Sequence, residues 1–182
     1  LILQNHGLII AANEPLEAER LQNDVLACIR INKRKTLPLN KELLSKYLSF
    51  FRGSSLPDNP IIHSLATDIS SLKLAKMLPP YPDHVVFCGV SPLIIKPSDD
   101  PDSIDIEGKK YILIEGVGVI LLGAGNEALQ EMLETQAEIF LRVRDTDNVN
   151  MLTLEDCHAL INWEAEVYRS RLINEVENKS FK

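Results

Sequence analysis

The stretch YILIEGVGVILLG, Tyr111 to Gly123, restricts the fold more than any other segment of this sequence. Two apolar runs meet at Glu115-Gly116-Val117-Gly118, and the glycines there permit the positive φ that a tight reversal demands. The pattern predicts a strand, a turn and a returning strand. Asn126 then opens an amphipathic helix that carries Leu129, Met132, Leu133, Ala137, Phe140 and Leu141 on one stripe. A hairpin followed by such a helix predicts an α/β protein, a layered sheet with flanking helices.

A second copy of the pattern lies roughly 110 residues earlier. LILQNHGLIIAANEPLEAERLQNDV reads as strand, polar turn, strand and helix. Asn13, Glu14 and Pro15 supply a capping side chain, an acid for the first turn and a proline where no donor is missed. Leu16, Leu21, Val25, Cys28 and Ile29 recur at helical spacing to about Lys33. At the later turn, His6 is replaced by Gly116 or Val117. A chemical role for that histidine is therefore open only to the first copy.

The remaining elements fall between and after these units. A short helix with Leu43, Leu44, Tyr47, Leu48 and Phe51 follows Asn40. RGSSLPDNP, Arg52 to Pro60, collects turn-forming residues and reads as a linker. Asp58 or Asn59 then caps one helix with Ile62, Leu65, Ile69, Leu72 and Leu74, which LPPYPD stops. HVVFCG and PLIIK read as short strands, Pro97 to Lys109 as an acidic loop. Thr153 and Asp156 form a capping box for a final helix running through Val167 toward Leu172. The resulting division is 1–52 and 60–182.

Charge and cysteine usage narrow the function classes. A formal net charge of −7 argues against a nucleic-acid-binding face. The basic residues of RINKRK, Arg30 to Lys35, read as a solvated helix end. Cys28, Cys88 and Cys157 show no metal-binding spacing and are expected as buried, reduced thiols of a cytoplasmic protein. No apolar run is long enough to span a bilayer and no signal peptide is visible, so no membrane partner is expected.

Several motifs invite chemistry. In YPDHVVF, Asp83 and His84 sit at an expected strand entrance, where an aspartate can orient an imidazole or raise its pKa. The structural alternative makes Asp83 a turn residue and His84 a half-buried strand start. His63 and His158 fall within amphipathic helices and read as structural. GVGVILLGAGNEA lacks both the GxGxxG and the GxxxxGK spacing, so its glycines are assigned to turns. Lone Trp163 is read as a packing anchor rather than a sugar-stacking platform.

LILQNHGLII followed by PLEAERLQNDV resembles the end of the class II aldolase/adducin family, in which a strand runs into a His-Gly turn and a second strand leads to a helix. YPDHVVFCGVSPLII, IEGVGVILLG and LEDCHALINWEAEV look like the region after the metal-binding core in long members, such as the bifunctional rhamnulose-phosphate aldolase/lactaldehyde dehydrogenase proteins. Residues 34 to 58 have no clear counterpart. The resemblance implies the tail of an aldolase-like domain followed by a C-terminal α/β domain. It also implies a lyase acting on a sugar or sugar phosphate with a divalent metal, usually zinc, for which His6 matches the third protein ligand. The family's His-x-His pair and glutamate lie upstream of the matched region and are expected outside this sequence. Asp83 and His84 become candidate catalytic residues, with His84 using one ring nitrogen toward substrate. The expected partners are a sugar-type small molecule and further copies of the chain. A non-catalytic, adducin-like assembly module and a Rossmann-like nucleotide binder are the competing readings.

Overall fold

The computed structural model describes residues 1–29, 31–123, 127–144, 149–164 and 168. Its centre is a three-stranded sheet of order β3-β4-β5, with β3 Leu93–Ile95, β4 Tyr111–Ile114 and β5 Gly118–Leu121. β4 pairs parallel with β3 and antiparallel with β5, with Ile112 opposite Ile120 and Ile114 opposite Gly118. Successive strand residues point to opposite faces. Tyr111, Leu113, Val119 and Leu121 therefore enter one apolar cluster, and Ile112, Ile114 and Ile120 another. Both faces are covered, which is why these strands read as unbroken apolar runs.

The first face is covered by a string of helices. The single helix expected after Asn59 is broken into a 3₁₀ turn Pro60–His63, α3 Ser64–Thr67 and α4 Ile69–Ala75. Asp68 sits at the break in extended conformation, and its Oδ1 accepts a hydrogen bond from the Ser71 amide. A side chain that caps a new helix competes with continuation of the old one. α5 Pro82–Cys88 and α6 Glu127–Phe140 complete this layer, with Leu129, Leu133, Ala137 and Phe140 of α6 buried. Asn126, expected to open α6, lies outside the described residues.

The second face is covered by α2 Lys41–Phe50, whose Leu44 and Tyr47 pack with Phe51, Ile95, Ile112 and Ile120. Asn40 caps α2 by accepting a 3.0 Å hydrogen bond from the Leu43 amide, as its sequence position suggests. Arg52 to Pro60, expected as a linker, is built into this unit. Phe51 is buried, and Ser55 exchanges backbone hydrogen bonds with Leu121 along the outer edge of β5. The turn residues serve a tight connection around the sheet edge.

Residues 1–29 form a second hairpin, β1 Ile2–Leu3 and β2 Gly7–Leu8, followed by α1 Pro15–Ile29. α1 buries none of its residues, and Leu16, Leu21, Leu26 and Ile29 are exposed. Cys28 is consequently exposed, contrary to expectation, whereas Cys88 and Cys157 are buried. α1 also ends earlier than Lys33, and Ile31 to Asn40 run on without regular structure.

Arg34 ties that connection to the core. Its guanidinium contacts both carboxylate oxygens of Asp68, at 3.2 and 2.6 Å, and donates to the carbonyls of Phe140 and Val143. Its own amide donates to Leu141 O at 2.9 Å. One fork thus serves the C-terminal end of α6, where carbonyls lack helical partners. Burial pushes the Asp68 carboxyl up, but the hydrogen bonds from Arg34 and Ser71 outweigh it and leave the pKa below its ordinary value. Arg34→Ala is expected to lower unfolding free energy by about 2 kcal/mol, because carbonyls and a part-buried carboxylate lose their donors. Arg34→Lys, which keeps the charge but not the fork, should recover less than half of that in urea denaturation.

α7 Leu154–Asn162 closes the described chain. Its capping box is formed: Thr153 Oγ1 accepts from the Asp156 amide at 3.1 Å, and Asp156 Oδ2 accepts from the Thr153 amide at 2.9 Å. Apart from Glu164 and Tyr168, the expected continuation through Val167 to Leu172 lies outside the described residues. Among those described, no helix is long and apolar enough to cross a membrane.

Candidate functional site

His6 lies at the turn between β1 and β2, on a backbone held in a left-handed conformation by Asn5, φ 53°. Asparagine tolerates that region better than other non-glycine residues. Its side-chain amide also donates to Pro80 O and to Asn150 O, both at 2.8 Å, fastening the turn to two distant loops. His6 itself is exposed. The sequence thus produces a histidine on a turn whose backbone is fixed from the neighbouring residue.

The later hairpin repeats this turn. Leu3 pairs with Gly7 as Ile114 pairs with Gly118, across three intervening residues in each case. Asn5 and Gly7 have φ of 53° and 149°, and Gly116 and Gly118 have 71° and 156°. The amides of His6 and Val117 donate to Leu3 O and Ile114 O, respectively. His6 therefore corresponds to Val117, not Gly116. Val117 is buried against the α2 side of the sheet, whereas His6 faces solvent.

Among the described residues, no group of three or more His, Cys, Asp or Glu side chains could hold a metal ion. His6 offers one imidazole. These residues do not by themselves fit a divalent metal, which needs several converging donors.

Asp83 and His84 are not at a strand entrance. Both belong to the first turn of α5, with Pro82 at a position that needs no amide donor and Gly89, φ 85°, at the helix end. Successive helical residues point in different directions. Asp83 is exposed while His84 is 2% exposed.

His84 instead joins a buried polar cluster. The Tyr81 ring meets it edge-on with centroids 5.9 Å apart. Gln136 of α6 approaches closely enough to favour the protonated ring, yet neither ring nitrogen completes a hydrogen bond. Tyr111 OH and Gln136 Oε1 are likewise buried without partners. Burial holds the His84 pKa down at about 4, opposed by Gln136 and reinforced by the Lys110 charge. Burial also pushes the Cys88 thiol up to about 12, which makes it unreactive. Lys110 reaches over the end of α5 and donates to Val86 O and Phe87 O at 3.2 and 2.7 Å. Gln136 had a legible signal: it is the polar member of the Leu129, Leu133, Ala137, Phe140 stripe.

His63 is structural in the sense expected, but its partner is the sheet. Its Nδ1 accepts a 3.0 Å hydrogen bond from the Val119 amide. Trp163, expected as a packing anchor, is 57% exposed and borders a shallow groove with Pro82 and Leu160. The glycine segment after Leu122 lies mostly outside the described residues.

No protein-family model, curated protein or solved structure matches this chain.

Proposed function

We propose that this chain is part of a class II aldolase-like lyase acting on a sugar or sugar phosphate, and that it contributes His6 to a divalent-metal centre whose other donors come from outside the described residues. The observation that carries this reading is the fixed turn: Asn5 adopts a left-handed backbone, bonds two distant carbonyls and leaves His6 exposed. A pre-positioned imidazole loses little freedom when it binds a metal. The rest of the reading stands on the sequence resemblance.

The test compares two proteins. The 182-residue chain alone should bind zinc more weakly than about micromolar, since one imidazole makes an incomplete site. The full-length gene product should bind zinc stoichiometrically and cleave a ketose phosphate, and His6→Ala should remove both properties. Undiminished metal content and turnover in that variant would end the reading.

One feature favours a second reading, an adducin-like assembly module that forms homo-oligomers. The apolar residues of α1 are uncovered, and an amphipathic helix gains stability only when its apolar stripe is buried. A full-length product that binds no metal but sediments as an oligomer, dispersed by Leu16→Glu with Leu26→Glu, would favour it.

A further inference from the structure

The basic segment after α1 is not a solvated helix end. Lys33, Arg34 and Lys35, together with Lys41 at the start of α2, line a cleft of about 730 Å³. The 3₁₀ turn and α3 line it as well. No acidic side chain is among the described residues lining this cleft, although the chain carries a net charge of −7. Lys33 is paired with Glu138 at 2.7 Å, and Arg34 is occupied by Asp68. Lys35 and Lys41 are exposed and have no partner among the described residues. Their charges are available to a ligand.

His63 and Ser64 also line the cleft. Ser64 is 1% exposed and its Oγ has no hydrogen-bond partner. A buried hydroxyl without a partner calls for an explanation such as a bound group. Beside it, the bond from the Val119 amide occupies His63 Nδ1 as an acceptor, so the neutral ring carries its proton on Nε2. Leu37, Leu39, Ile61 and Leu141 supply apolar wall. The volume falls within the range of small-molecule sites, roughly 300 to 1,000 Å³.

We propose that this cleft binds an anionic amphiphile, a small molecule with an apolar body and a terminal phosphate or carboxylate. The apolar body lies against Leu37, Ile61 and Leu141, and the anion is met by Lys35 and Lys41, with the Ser64 hydroxyl as a further donor. A bare anion leaves the apolar wall wet, and an uncharged chain leaves the lysines unused. The site is separate from the His6 reading, because none of its lining residues belongs to 1–29.

The experiment uses the 182-residue chain and four probes: n-octyl phosphate, octanoate, inorganic phosphate and n-octanol. Calorimetry should give saturable, one-to-one binding of octyl phosphate or octanoate, and the stronger of the two identifies the headgroup. Inorganic phosphate and octanol should each bind at least tenfold more weakly. Lys35→Gln with Lys41→Gln, both surface changes, should lower affinity at least tenfold with an unchanged melting temperature. Ser64→Ala should weaken binding by a smaller factor. Backbone amide shifts on binding should centre on Leu37, Ile61 and Ser64. The proposal is overturned if neither amphiphile binds, if inorganic phosphate binds equally well, or if the double lysine variant keeps full affinity.

Discussion

Gly118→Ala is expected to destabilise the protein by about 3 kcal/mol and lower its melting temperature by roughly 10 °C. Two effects combine there. Gly118 has φ +156°, where residues with a Cβ are strained, and an added Cβ would lie 2.9 Å from His63 Nδ1 and 3.2 Å from Leu44 Cδ1. Neither neighbour can yield cheaply. His63 is held by the Val119 amide, and Leu44 is packed into the second core cluster. Gly116→Ala provides the control, since φ there is +71° but nothing lies within 4 Å of an added Cβ. It should cost only the backbone strain, about 1 kcal/mol. Equal losses in the two variants, measured by thermal denaturation, would show that the close approach of His63 to the strand is not what requires glycine.

Acid should begin to destabilise this protein before its carboxylates titrate. His84 has a folded pKa of about 4 because burial disfavours its charged form, against an ordinary value of 6.5. Between those values the unfolded chain binds the extra proton and the folded one does not, so stability falls as pH falls. The loss begins near pH 6.5, is complete below about pH 4, and amounts to about 3 kcal/mol. His63, also lowered by burial, acts with the same sign. Asp68, lowered in its turn, adds a further loss only in more acidic solution. His84→Leu should therefore flatten the decline in urea-unfolding free energy between pH 7 and pH 4.5, leaving the smaller His63 contribution. Stability at pH 7 should change little, because the substitution also removes two ring nitrogens that lack partners. A decline as steep as in the parent protein would place the acid-sensitive group elsewhere.

The parts of the fold legible in the sequence are those fixed within a few residues. The Gly116–Gly118 reversal and the Thr153–Asp156 box each depend on local geometry, and each forms as expected. HVVFC was misread because a short apolar run does not distinguish a buried strand from a buried helix. Pro82 before it and Gly89 after it were the better guides, as they bracket a helix at its two ends. His84, Val85 and Cys88 then share one buried face. The Asp68 break and the Arg34 tie were not legible, since Arg34 meets partners 34, 37, 106 and 109 residues away. The same holds for the basic cleft, whose lining residues from 33–41, 60–67 and 141 come together only when the chain turns back on itself. Of the candidate site, the sequence located the His6 turn but not its fastening through Asn5.

The Asn5 and Arg34 attachments together have a mechanical meaning. Among the described residues, side-chain hydrogen bonds from residues 1–35 to the rest of the chain come from Asn5 at one end and from Lys33 and Arg34 at the other. α1, about 22 Å long by its 15 residues, lies between these attachments. Pulling the N-terminal unit away would mean breaking the two Asn5 bonds at one end, and at the other separating Lys33 from Glu138 and extracting the Arg34 guanidinium from the end of α6.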